Sequence, residues 1–259
     1  MQDVSEQIRY NWNYQYRLGE EVLVPLLIQK NVFHPGDSVF EVGCGEGGVL
    51  TTFAKAGVKT AVGTDIHDER LVQGKAFISA EGQSIELSHH NILEDDIPEK
   101  WRNQFDLILL RDVIEHLEDT RLALQRIKFL MKKGAFLFIT FPPYYSPFGA
   151  HQHIVKNFWG KFPYIQMMPK VVFFKMIQSG RKLDVQEVIK MRDIQLSPEK
   201  LKRAALQAGF KVYSEDYYIL RPVFKMKFGL PELKLPRQLN GEFFQNVCST
   251  EAAFILQAG

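Results

Sequence analysis

The sequence predicts an α/β fold built on a doubly wound, mostly parallel sheet. Three observations carry this. A glycine-rich turn, Gly43-Cys44-Gly45-Glu46-Gly47-Gly48, joins an apolar run to a helical stripe. A second run, Ala61-Val62-Gly63-Thr64, ends in the carboxylate Asp65. Short apolar runs then alternate with helix-period segments up to about residue 140, the signature of β-α-β crossovers.

Strand one spans about 38 to 42 and is entered through the turn His34-Pro35-Gly36-Asp37. Before it, Leu23, Leu26 and Leu27 share a stripe on a helix from Glu20 to Gln29, preceded by an aromatic polar segment, Tyr10 to Tyr16. A helix over 47–56 ends at Gly57, strand two covers 59–64, and a helix from Glu69 to Glu81 has a weak point at Gly74. Strands three (84–89) and four (105–110) follow. Thr120 is the expected cap of a helix whose Ala123, Leu124, Ile127, Leu130 and Met131 recur at three and four residues. The continuous apolar run Ala135 to Thr140 suits a strand covered on both faces. Ser197 and Pro198 open a late helix that Gly209 closes, and strands over 210–220 and roughly 242–256 complete seven.

The length of 259 residues and a hydrophobic content of 46% fit one domain, residues 1–259. The 32 basic and 30 acidic residues cancel to +2, which gives no field suited to nucleic acid. Two cysteines, Cys44 and Cys248, do not make a secreted disulfide framework, and the first six residues lack the pattern of a leader. No apolar stretch is long enough to span a bilayer. A cytoplasmic location is the resulting expectation.

A glycine turn followed by an acid after the next strand is a nucleotide-cofactor pattern: the glycines admit close backbone approach and the acid accepts from ribose hydroxyls. Gly43, Gly45 and Gly48 also satisfy the dinucleotide spacing. Glu41 before the loop and Glu46 within it oppose a pyrophosphate, however, and favour a ligand carrying positive charge.

Val39 to Val49 resembles the first motif of the class I S-adenosylmethionine-dependent methyltransferases, and the segment Arg111-Asp112-Val113-Ile114-Glu115-His116-Leu117 is similar to that of their small-molecule branch. The resemblance covers roughly residues 20 to 140. It implies a Rossmann-like methyltransferase fold of seven strands, the last antiparallel, with S-adenosyl-L-methionine as cofactor. Glu41, Gly43, Cys44, Gly45, Gly47 and Arg111 would surround the donor, Asp65 would hold its ribose, Ile66 would lie beside the adenine, and Asn91 would face the adenine amino group where many members carry Asp.

Transfer to a hydroxyl needs alignment and benefits from a general base. His116, beyond strand four, is the first candidate, against a local bond to Asp112 or Glu115. His151 and His153 are the second, against surface roles. No sequence-near set of ligands assembles a metal site, so none is expected. The excursion 141–192, rich in aromatics and carrying Lys156, Lys161, Lys170 and Lys175, reads as a lid that selects the acceptor, with an oligomer or peripheral membrane interface as the alternative. Phe141-Pro142-Pro143-Tyr144 is similar to the Asn-Pro-Pro-Tyr signature of amino-group methyltransferases, but it begins with Phe and follows strand five, which lowers support for an exocyclic nitrogen. The expected activity is methyl transfer to a small-molecule oxygen. The alternatives are N- or C-methylation, a lipid-like acceptor, or a non-catalytic cofactor-binding domain.

Overall fold

Strands β1 (Ser38–Val42), β2 (Thr60–Asp65), β3 (Glu86–His89), β4 (Phe105–Arg111) and β5 (Met131–Phe141) run parallel. They are joined by β6 (Phe210–Leu220), β7 (Leu233–Lys234) and β8 (Glu251–Ala258) in the order β3-β2-β1-β4-β5-β8-β6-β7. The computed structural model describes residues 6–239 and 241–259. Residues 1–5, on which most of the no-leader expectation rests, lie outside them. β8 is antiparallel to both neighbours. The sheet has eight strands where seven were expected, the addition being the two-residue edge strand β7.

Alternation along the strands assigns side chains to two cores. Phe40 and Val42 of β1, with Ile108 and Leu110 of β4, face helices α5 (Thr120–Leu130) and α8 (Pro198–Gln207) through Ala123, Leu124, Ile127, Leu201 and Ala205. Val39, Leu107, Leu109 and Phe138 face the opposite layer, which includes Leu18, Leu27, Val49, Leu50 and Phe53. Burial on both faces is why Leu107 to Leu110 of β4 read as an unbroken apolar run.

Several boundaries differ from expectation. The helix placed at Glu20 begins instead as α1 (Glu6–Leu18), passes through a π-helical stretch, Gly19–Leu23, and continues as α2 (Val24–Gln29). Pro25 offers no N–H to a carbonyl one turn back, and the helix widens just ahead of it. After α3 (Gly48–Lys55), helix α4 (Asp68–Ala80) carries Gly74 for a reason its helix propensity conceals. A Cβ there would lie 2.4 Å from the Glu46 carbonyl oxygen, so Gly74 permits close packing on the glycine turn. Asp119, not Thr120, caps α5: its carboxylate accepts from the Leu122 N–H at 2.8 Å. Ser197 caps α8 as expected, accepting from Lys200 N–H at 3.2 Å.

The 141–192 excursion holds three short 3₁₀ turns, helix α6 (Lys170–Ile177) and most of α7 (Lys182–Ile194). Val155, Ile165, Phe173, Ile177 and Val188 form a small core of their own. The connection after β6 contains α9 (Val223–Phe228). The expected strand over 242–256 divides into α10 (Glu242–Val247) and β8.

Candidate active site

The sheet order reverses between β1 and β4, and ligands of doubly wound sheets sit beyond the carboxyl ends of the strands at such a point. A cleft of about 710 Å³ lies there, lined by Val42, Gly43, Asp65, Ile66, Asn91, Arg111 and His116 among others. That volume is within the range of cofactor sites.

The glycine turn is knitted to the protein itself. Gly43 and Cys44 N–H groups donate to the Thr64 carbonyl at 2.7 and 2.9 Å, and Gly47 N–H donates to the Cys44 carbonyl at 3.0 Å. Gly45 N–H donates to Asp65 Oδ2 at 2.8 Å, and Gly48 N–H to Gln15 Oε1 at 3.2 Å. Gly43 has φ +71°, and a Cβ there would lie 2.4 Å from Val113 Cγ2, so the turn passes under the loop that follows β4. Gly43 lines the cleft, whereas Cys44, Gly45 and Gly47 support it from behind. Asp65 is buried and its Oδ1 accepts from His67 N–H at 3.0 Å, so both oxygens brace the backbone while the residue lines the cleft.

Glu41 and Glu46 are buried and paired, and neither lines the cleft. Arg70 reaches both Glu46 oxygens at 3.0 and 2.8 Å, and Gln15 Nε2 adds a third bond at 3.1 Å. Arg111 Nε donates to Glu41 Oε1 at 3.2 Å. Burial pushes the Glu41 carboxyl up to about 7 against the pull of Arg111. The two carboxylates therefore do not present free negative charge to a ligand, as the sequence-based reasoning supposed.

Ile66 is exposed at the cleft rim, and Asn91 sits after β3 with its Oδ1 accepting from Leu93 N–H at 3.0 Å. Helix α1 contributes Asn11, Tyr14, Gln15 and Leu18 to the wall. The sequence pointed to that aromatic segment without assigning it a role. Arg70 was missed too, since nothing near it in sequence marks it.

His116 lies at the end of a 3₁₀ turn, Ile114–His116, and lines the cleft. Its Nδ1 is hydrogen-bonded to the carboxylate of Glu187 on α7. This partner is 71 residues away in sequence, while the local Glu115 weighed for it stands farther off, its Oε1 3.9 Å from His116 Nε2. The bond holds the Glu187 carboxyl below its ordinary range. The His151 ring lies tilted against that of His116 with centroids 5.1 Å apart, and its Nε2 is 3.8 Å from Glu115 Oε1. Burial, helped by the neighbouring His116, pushes the His151 imidazole down to about 4, so it is neutral near pH 7. His153 lies outside this group, exposed, with its ring 6.0 Å from that of His151.

Glu115 was quoted in sequence only as a bonding partner. It is buried, and among the described residues both its carboxyl oxygens lack a hydrogen-bond partner. Burial, reinforced by the Asp112 charge, holds its pKa well above the usual carboxylate range. Glu115, His116 and His151 also offer ligand atoms within 4.8 Å of one another, a grouping that could hold a cation and that no spacing in the sequence suggested. Asp112, at φ +49°, is gripped by Arg221 Nη2 at 3.1 and 3.2 Å, and the same guanidinium holds Glu251.

Residues 12–215 match the family model described as "Methyltransferase domain". The (S)-coclaurine N-methyltransferase of Thalictrum flavum subsp. glaucum is 30% identical over 136 residues, covering 50% of this chain and 37% of that protein. The ubiquinone biosynthesis O-methyltransferase of Aeromonas salmonicida is 27% identical over 105 residues, 40% of this chain and 43% of that one. The matches thus span less than half the length of these relatives. Among solved structures, an S-adenosylmethionine dependent methyltransferase from Mesorhizobium loti superposes with a TM-score of 0.58 at 12% identity, covering 90% of this chain and 96% of that chain. The chain belongs to the methyltransferase domain family, and it shares its fold with the S-adenosylmethionine dependent methyltransferase from Mesorhizobium loti.

Proposed function

We propose that this chain transfers the methyl group of S-adenosylmethionine to a hydroxyl oxygen of a small-molecule acceptor. The residues at the cleft fit the donor: Asp65 stands at the end of β2 for the ribose, and Gly43 lines the cleft beneath the loop that follows β4. The bound donor supplies an electrophilic methyl on a sulfonium. The protein aligns the acceptor oxygen with it and removes the hydroxyl proton.

One observation carries the oxygen reading. His116 lines the cleft with Nδ1 anchored on Glu187, which directs Nε2 to act as proton acceptor and places a carboxylate where it stabilises the imidazolium. His151, neutral near pH 7, and the buried Glu115 carboxyl, held well above its usual range by burial, back His116. Glu187 and Lys190 of α7 bring the 141–192 excursion to the wall, which supports acceptor selection by that segment.

N-methylation is the second reading, since one relative at 30% identity is an N-methyltransferase. A protonated amine needs the same base. The discriminating experiment pairs phenolic and amine acceptors with the wild type and His116→Gln, assayed over pH. We expect His116→Gln to lower kcat on hydroxyl acceptors about 10²- to 10⁴-fold while donor affinity stays within about twofold. Full turnover in that variant overturns the base assignment. Turnover on amines alone replaces oxygen with nitrogen. Turnover abolished by a chelator and restored by a divalent cation moves Glu115, His116 and His151 from base to metal ligands.

A further inference from the structure

The excursion between β5 and α8 concentrates charge that the whole chain hides. No Asp or Glu occurs between Asp119 and Asp184, although the chain as a whole is nearly balanced. Within that span Lys156, Lys161, Lys170 and Lys175 are exposed, and no carboxylate pairs with them among the described residues. Arg181, by contrast, is neutralised by Asp184 at 2.8 Å.

Apolar side chains stand among these lysines. Phe158, Trp159 and Phe162 cluster with ring centroids 5.1 to 6.0 Å apart, all exposed, Phe158 to 65%. Helix α6 packs on the turn at Trp159–Lys161 and on the turn at Ile165–Met167. It buries Phe173 and Ile177 against the small core and leaves Val171, exposed to 68%, and Val172 outward. Met167 and Met168 are exposed on the same segment. The sequence-based reading expected these aromatics to be covered, by packing over the cleft as a lid or against another subunit or a lipid surface. The structure buries Phe173 and Phe174 wholly or partly but leaves the Phe158 group in water.

Exposed aromatic and branched apolar residues interleaved with unpaired lysines match one surface chemistry: a bilayer with anionic headgroups, where tryptophan and phenylalanine enter the interface and lysines meet phosphate. A purely electrostatic partner such as nucleic acid would not account for outward Val171, Val172, Met167 and Met168. We propose that the face formed by Phe158, Trp159, Phe162, Val171 and Val172 with its flanking lysines docks the chain on an anionic phospholipid surface. This inference goes beyond the transfer reaction and stands whether the acceptor is an oxygen or a nitrogen.

Flotation of the full chain with vesicles tests it, using equal parts phosphatidylglycerol and phosphatidylcholine against phosphatidylcholine alone. We expect partitioning to the anionic vesicles that weakens as salt rises, with a blue shift of tryptophan emission. Trp12 and Trp101 are buried at 7% and 4% exposure, so that shift reports Trp159. The pairs Phe158→Ser with Phe162→Ser, and Lys156→Glu with Lys161→Glu, should each reduce partitioning about tenfold or more. These side chains are solvent-exposed, and donor binding measured on the same preparations reports that the fold is kept. The proposal is overturned by absent partitioning, equal partitioning to phosphatidylcholine alone, variants that bind as the wild type, or competition by single-stranded oligonucleotide. A concentration-dependent dimer that shields Trp159 without vesicles overturns it in favour of a second copy of this chain.

Discussion

Replacing Asp65 by alanine separates two roles that the structure superimposes on one carboxylate. The side chain accepts from Gly45 N–H at 2.8 Å and His67 N–H at 3.0 Å, and it also faces the cleft. Each oxygen keeps acceptor capacity for a ribose hydroxyl. Loss of a charge-assisted bond to the donor costs about 1.5 to 3 kcal/mol, or roughly 10- to 150-fold in Kd. Two backbone N–H groups are orphaned as well, at about 1 to 3 kcal/mol each if they stay dry. Set against a typical domain stability of about 5 to 15 kcal/mol, the variant is destabilised but remains mostly folded. Calorimetric titration with S-adenosylmethionine and its demethylated product, run beside thermal unfolding, reads both effects. Weaker binding with a lower melting point is expected. A lower melting point with unchanged Kd would refute ribose contact and leave Asp65 as a brace of the glycine turn. Tighter binding of NAD than of S-adenosylmethionine by the wild type would refute the donor assignment itself.

Glu187→Gln keeps the size of the group that holds His116 but removes its charge, so turnover should fall about tenfold while donor affinity is kept, measured as separate kcat and Kd. His151 makes stability pH-dependent. With a folded pKa of about 4 against about 6.5 unfolded, its contribution is present above pH 6.5 and is lost as pH falls toward 4, up to about 3 kcal/mol. Denaturant titrations of wild type and His151→Asn across that window should differ in slope, and parallel curves would show that another group titrates. Arg70→Met strands the buried Glu46 carboxylate at a cost of about 3 to 5 kcal/mol, and adding Glu46→Gln should recover much of it. A double variant no more stable than Arg70→Met would mean that Arg70 acts chiefly through packing.

The parallel half of the fold was legible because its strands are buried on both faces and separated by helices with clear stripes. Phe40, Ile108 and Leu137 could not have been loop residues. The π-helical stretch before Pro25 and the split of 242–256 were not legible. Phe243 and Phe244 have strand propensity, yet they sit in α10, because the chain must first turn before β8 can enter between β5 and β6. Tertiary pairing decided that boundary, and propensity is a weak prior against it. In the excursion, the exposure of Phe158, Trp159 and Phe162 was not legible, for a different reason. Its apolar content signals burial on average, but burial capacity is limited by what else is nearby, and five residues suffice to fill its small core.

At the site, sequence located the glycine turn, Asp65 and His116 but not their partners, since Arg70, Arg111 and Glu187 reach Glu46, Glu41 and His116 across 24, 70 and 71 residues. Those partners change the reason for choosing the donor. A dinucleotide pyrophosphate binds where a glycine loop and helix N-terminus offer free N–H groups. Here the N–H groups of Gly43, Cys44, Gly45, Gly47 and Gly48 are all engaged, by Thr64, Asp65, Cys44 and Gln15. An incoming pyrophosphate would have to displace those bonds and lie beside the Asp65 carboxylate. Glu41 and Glu46 are neutralised by arginines and contribute little attraction of their own. The turn disfavours an anion chiefly because these five donors are already satisfied, a discrimination carried by backbone geometry that the acidic letters of the motif only accompany.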